Sequence, residues 1–203
     1  YLKEEISMKN EDKILKAALA VVKEHTISGT RMHLIAEKAG MVQSNIHYYF
    51  KTKGDLMSAL QRTVLEKCLE LRKNYRKNIK EYTLEEELDV FIAQKKAFIL
   101  KYREYDYAEV DFWVQGRINQ DMKDCFAESF EGWRKEIRGM LQKYEPELSD
   151  KAKECLPYQI VSYLEGATIQ YLVDEKRFDL EDYFEFGKKM ILTIIEEEVH
   201  KLQ

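Results

Sequence analysis

Helix-breaking residues are scarce in this chain: there are two prolines and eight glycines in 203 residues, and Pro146 and Pro157 both lie in the C-terminal half. Leu, Glu, Lys and Ala are abundant instead, so helices are expected almost throughout. Cysteine is scarce too. Cys68, Cys125 and Cys155 are odd in number and widely separated, with no CxxC and no Cys/His ligand spacing. That excludes a disulfide framework and a cysteine-built metal site, and predicts reduced thiols in a cytoplasmic protein. No apolar run approaches the length of a membrane span, and no secretory leader pattern is present. The numbering starts at Tyr1, which implies that an initiator methionine is omitted. The four histidines are scattered. No nucleophile–base–orienter set, metal-ligand cluster or glycine-rich phosphate loop is visible, so neither an enzyme nor a cofactor is expected.

What the chain does have is an uneven charge. The net charge is −4. Residues 1–53 hold nine Lys/Arg against six Asp/Glu, and the remainder holds 24 against 31. A basic head on an acidic body fits a local nucleic-acid footprint.

The most specific segment is Thr30–Leu56. Thr30, after Gly29, is placed to cap a helix. Met32, Ile35, Ala36 and Ala39 share one helical face. Gly40 stands where a left-handed stop is needed, and Met41-Val42 makes the turn. Ile46, Tyr49 and Phe50 are the apolar set of a second, short helix. Its other face carries Gln43, Ser44, Asn45, His47 and Tyr48, with no acid. Thr52 and Asp55 then form a capping-box pattern. Gln and Asn suit adenine bidentately, while hydroxyls and lysines suit phosphates. A helical hairpin with a solvated polar face would share much of this pattern, but it does not require the aromatic run followed by Lys51-Thr52-Lys53.

Ile35-Ala36, Ala39-Gly40, Asn45-Ile46, Tyr48-Tyr49-Phe50, Lys51, Lys53 and Leu56 resemble the DNA-binding domain of the tetracycline-repressor (TetR) family of bacterial regulators. With the upstream helix at about 10–26, the resemblance covers roughly the first quarter of the chain. It implies an all-α protein with a helix-turn-helix domain over residues 1–54 and a larger helical domain over 55–203 for ligand binding and dimerisation. The DNA contacts it implies are Thr30, Arg31, Gln43, Ser44, Asn45, His47, Tyr48, Tyr49, Lys51 and Lys53. Three positions depart from the family habit. Val42 replaces a small hydroxyl residue and cannot cap from its side chain; Ser44 replaces a frequent Gly; His47 replaces a frequent Tyr. They predict an operator preference of the chain's own.

Beyond the motif, Asn10 with Glu11 and Asp12 reads as a first helix start, with Ile14, Ala18, Val21 and Val22 inward. A fourth helix should run from Thr52–Asp55 to about Ile79, and its basic end (Arg72, Lys73, Arg76, Lys77, Lys80) reads as solvated. Thr83–Glu86 is another capping box. A break near Arg103–Asp106 precedes an aromatic segment. Further helices are expected at about Gln120–Tyr144, Ser149–Val173 and Asp179–Lys201.

Tyr102, Tyr105, Phe112, Trp113, Arg117, Phe130, Trp133, Tyr163 and Tyr171 are candidates for the ligand cavity that the resemblance implies, with ordinary core packing as the competing reading. Gln115 and Arg117 beside Trp113 suit an anion or a carbonyl. Ile160, Leu164, Ala167 and Tyr171, with Phe184, Gly187, Ile191 and Ile194, form two stripes. These serve either a twofold dimer interface, as the resemblance implies, or one protomer's core; periodicity alone does not separate the two. The expected protein is a homodimeric repressor, released from a palindromic operator by a small hydrophobic or aromatic effector. The alternative is a helical adaptor without specific DNA binding.

Overall fold

The computed structural model describes the backbone of residues 2–76 and 81–200, and the side chains of 9–76 and 81–200. Among these residues there are nine helices and no strand. Two units are distinguished: residues 1–68 with 102–126, and residues 69–101 with 127–203. This division differs from the functional boundary expected at residue 54, because α4 runs through that point and a later segment joins the N-terminal unit.

The first unit contains α1 (Leu2–Gly29), α2 (Met32–Ala39), α3 (Gln43–Tyr49), the start of α4 (Lys53–Arg76), α6 (Arg103–Gln115) and the start of α7 (Gln120–Tyr144). Ile14, Ala18, Val21 and Val22 are buried as expected, with Ile35, Ile46, Leu56, Leu60 and Phe112. Helix α1 does not start at Asn10. It already runs from Leu2, since no breaker precedes Asn10, and the Asn10 amide donates to the Tyr49 hydroxyl at 3.1 Å. The capping box of α4 forms as read: Thr52 N–H donates to Asp55 (2.9 Å) and Asp55 N–H to Thr52 Oγ1 (3.1 Å).

The second unit contains the rest of α4 and α7, with α5 (Leu84–Lys101), α8 (Asp150–Asp174) and α9 (Leu180–His200). The basic end of α4 is not simply solvated. Arg72 is 6 % exposed; it donates to Gln94 Oε1 (3.0 Å), pairs with Glu136 (3.3 Å) and lies over the Phe91 and Trp133 rings. Arg76 pairs with Glu87 (3.0 Å) and Glu136 (2.5 Å). Carboxylates on α5 and α7 draw these guanidiniums inward. Lys77, Ile79 and Lys80 lie outside the described residues, as does Lys201 at the expected end of the last helix.

The Thr83–Glu86 box forms, with bonds of 2.8 and 3.2 Å. The expected break at Arg103–Asp106 is confined to Tyr102, and α6 runs through those four residues. Their side chains all tolerate helix, so one non-helical residue suffices to redirect the chain. Ser149 caps α8 by accepting from Ala152 N–H at 3.2 Å. Pro157 sits buried inside α8 without ending it.

Much of the stripes on α8 and α9 is buried within this chain. Ile160, Leu164, Ala167, Phe184 and Ile191 are buried within this chain, and Tyr171 and Ile194 pack against them. The helices approach closely at Gly187: a Cβ there would lie 2.1 Å from Tyr163 Cε2. The Tyr163 ring stacks on Tyr183 at 5.0 Å, and each hydroxyl donates to a carbonyl across the helix pair, Tyr163 to Phe184 (2.9 Å) and Tyr183 to Tyr163 (2.8 Å). Burial pushes the Tyr163 phenol well above its usual pKa. Lys95 and Glu165 form a buried ion pair at 2.7 Å.

Candidate nucleic-acid interface

The α2–turn–α3 unit is built on a small buried set, Ile35, Ala36, Ala39, Ile46 and Phe50. Gly40 adopts φ 60°, ψ 40°, the left-handed stop that favours a residue without a Cβ. Its N–H donates to Glu37 O (3.0 Å) and the Met41 N–H to Ala36 O (2.9 Å), which closes α2. Val42 occupies the N-cap of α3 with no side-chain bond, as its chemistry requires.

The opposite face of α3 presents Gln43, Ser44, Asn45 and Tyr48, all exposed. His47 is half-buried, its Nε2 3.3 Å from Gln43 Nε2 and its Nδ1 3.2 Å from Lys51 O. Both contacts are satisfied when Nδ1 carries the proton and Nε2 accepts from the Gln43 amide. Gln43 then keeps its oxygen and its second amide hydrogen for other contacts.

Three expected DNA contacts change role. Thr30 is fully buried and does not cap α2; its hydroxyl donates back to Thr26 O at 2.7 Å, and Arg31 is the N-cap. Tyr49 is half-buried with its oxygen held by Asn10, so it braces α3 against α1. The Lys53 ammonium donates to Ile27 O at 2.6 Å. Burial lowers its pKa, Arg31 adds to the lowering and Asp111 opposes it. Lys51 is exposed. Arg31 is exposed too, although its Nη1 is bound to Ser28 O (2.7 Å) and Thr30 O (3.0 Å).

Sequence reading missed the bend in α1 just before this unit. Thr26 has φ 59°, ψ 169°, a conformation that β-branched residues rarely adopt and that costs about 1–3 kcal/mol. The bend is held from several sides. Thr30 bonds Thr26 O, the Asp111 carboxylate accepts from Ile27 N–H, Gln115 donates to Ser28 Oγ at 2.8 Å, and Lys53 holds Ile27 O. Helix α6 therefore fastens the bend that leads into α2. Asp111 lies 84 positions from Ile27, and nothing in local periodicity points to that contact.

Residues 14–60 match the family model described as bacterial regulatory proteins, tetR family. That segment of the chain is similar to the DNA-binding domain of the TetR family. It is similar to the HTH-type transcriptional regulator RutR of Escherichia coli (strain K12), with 39 % identity over 75 residues, 34 % of this chain and 35 % of that protein. The match thus spans about a third of that relative's length. Among solved structures, a transcriptional regulator from Rhodococcus sp. Rha1 has a TM-score of 0.78 at 14 % identity, covering 92 % of this chain and 96 % of that one. A Saccharomonospora viridis protein solved with choline has a TM-score of 0.78 at 17 % identity, covering 93 % and 96 %. These last two share the fold with this chain.

The expected ligand residues are divided between the two units. In the first, Tyr102 and Tyr105 meet edge to face at 6.1 Å beside Lys67, whose ammonium is 4.5 Å from the Tyr102 ring centre. Phe112, Trp113 and Arg117 line a cavity of about 520 Å³. In the second, Trp133 stacks on Phe91 and meets Phe130 edge to face, and Tyr163 stacks on Tyr183. Trp133 is 6 % exposed, and Tyr163 is half-buried with its hydroxyl bonded to Phe184 O on α9. The Tyr171 hydroxyl donates to Glu175 at 3.3 Å. No described helix is long and apolar enough to cross a membrane.

Proposed function

We propose that this chain is a cytoplasmic, ligand-responsive transcription regulator that binds a palindromic operator as a homodimer and represses until a small hydrophobic or aromatic effector releases it. The observation that carries this reading is the exposed, acid-free face of α3, mounted on a scaffold that matches the family model. Residues 1–54 do the DNA reading and the remainder the regulation. Lys51 and Arg31 anchor phosphates; Ser44, Asn45 and the Gln43–His47 pair face the bases.

Dimerisation draws on the apolar residues that α8 and α9 leave exposed. Ile169, Leu172 and Val173 on α8 and Phe186 and Met190 on α9 are 47–79 % exposed, and an exposed apolar group of this kind marks an association surface. Twofold pairing sets the α3 helices about one DNA turn apart, ~34–36 Å. A ligand that prefers another spacing weakens DNA binding by its differential affinity, typically about 1–3 kcal/mol, and by linkage DNA weakens the ligand equally.

The test is selection of bound duplexes from a random pool with the full chain. Enrichment of a palindrome with half-sites one turn apart supports the reading. Recovery of unrelated sequences at every round would reject sequence-specific binding.

A further inference from the structure

We propose that the groove between the end of α6 and the start of α7 binds an amphiphilic organic anion, with an aromatic or acyl body on Phe112, Trp113 and Phe126 and its acid group between Arg117 and Lys123. This rests on the regulator reading only for its consequence, release of DNA; the binding site stands on its own geometry.

The groove lies within the first unit and has a volume of about 520 Å³, inside the range of ~300–1,000 Å³ usual for small-molecule sites. Its floor is aromatic. Phe126 is 6.4 Å from Phe112 and 6.3 Å from Trp113, ring centre to ring centre. The turn is tight: a Cβ on Gly116 would stand 3.5 Å from Lys123 Cα. Arg117 and Lys123 therefore rise from the two sides of one narrow turn, and both are exposed.

The charge of the wall is one-sided. Arg117 and Lys123 both line the groove and no carboxylate does. Asp124, one residue on, accepts from the Gln120 amide at 2.7 Å. Among the described residues neither cation has a carboxylate or carbonyl partner, whereas Arg76, Arg134, Arg138 and Lys188 are all paired with acids. In a chain of net charge −4, two neighbouring cations over an aromatic floor select an anion with an apolar body. A cationic ligand is repelled, and a neutral ring gains only the floor.

The site also sits beside the bend in α1. Gln115, next to Gly116, donates to Ser28, and Asp111 one turn earlier holds Ile27. A ligand wedged against Trp113 and Arg117 acts on the same end of α6 that fastens the entry to α2.

The experiment is calorimetric titration of the full chain with 8-anilinonaphthalene-1-sulfonate and, in parallel, the uncharged N-phenyl-1-naphthylamine. One saturable sulfonate site per chain is expected. Arg117→Gln and Lys123→Gln should each weaken the sulfonate about tenfold, the size of one charge-assisted bond, and leave the amine unchanged. Both side chains are exposed, so an unchanged urea midpoint will show that the variants fold. Equal sulfonate affinity in the double variant, equal binding of both probes, or no saturable site would overturn the proposal. Mobility shifts with the selected duplex separate the two readings. Arg117-dependent binding that leaves DNA affinity unchanged upholds the site and removes the effector role, and absence of any selected duplex counts against the regulator reading alone.

Discussion

Replacing Gly187 by alanine sets two effects of opposite sign against each other. Alanine is the better helix former by about 1 kcal/mol, and Gly187 is inside α9. Its new Cβ, however, would stand 2.1, 2.3 and 2.5 Å from Cε2, Cζ and the hydroxyl of Tyr163. The ring cannot simply swing aside. Its hydroxyl donates to Phe184 O at 2.9 Å, and its face stacks on Tyr183 at 5.0 Å. Overpacking costs about 1–3 kcal/mol, the hydrogen bond about 1 and the aromatic pair about 0.5–1.5. Steric loss outweighs propensity, and the net destabilisation is about 2–4 kcal/mol. For a chain of this size that lowers Tm by roughly 5–15 °C. Urea or thermal unfolding followed by helical circular dichroism measures it. In a Tyr163→Ala background the overlap is gone, so Gly187→Ala should then be neutral or mildly stabilising. A single variant as stable as the parent, or more stable, would refute the close approach of α8 and α9.

Three further outcomes are expected. Lys51→Ala should weaken binding to all duplexes and flatten the salt dependence by about 0.9 in logarithmic slope; Lys53→Ala should instead lower stability, because its ammonium holds Ile27 O. Lys95→Met leaves the Glu165 carboxylate buried without its cation, 2.7 Å away in the parent, and should cost about 3–5 kcal/mol in urea unfolding, most of it recovered by adding Glu165→Leu. Since burial raises the Tyr163 phenol pKa, its contribution is fully present below the unfolded value of about 10 and is lost as pH rises through the folded value. Tyr163→Phe should therefore show a shallower fall of the urea midpoint between pH 9 and about 11; an unchanged slope would remove Tyr163 from that titration.

The parts legible in the sequence are those fixed by neighbours along the chain. Capping boxes at Thr52–Asp55 and Thr83–Glu86, the Gly40 stop and the span Gln120–Tyr144 depend on spacings of three or four residues. Contacts between distant segments were not legible. Thr30 looked like a cap because its side chain suits one, yet the bend at Thr26 turns that hydroxyl inward. Lys53 looked like a phosphate anchor because only its charge was visible, not the Ile27 carbonyl that binds it. On α8 and α9 the apolar character of the inner stripe is plain from the sequence. Its partner was ambiguous, since a helix face packs equally well on its own chain or on another. The exposed residues Val173 and Phe186 lie on the faces left over.

The most direct measurement is the affinity of the parent and of Asn45→Ala for the selected operator and for a scrambled duplex at one salt concentration. The parent should prefer the operator by about 10³ or more. Asn45→Ala should lose about 1–3 kcal/mol on the operator and almost nothing on the scrambled duplex. Equal losses on both, or no preference in the parent, would contradict the claim that the exposed face of α3 reads DNA sequence.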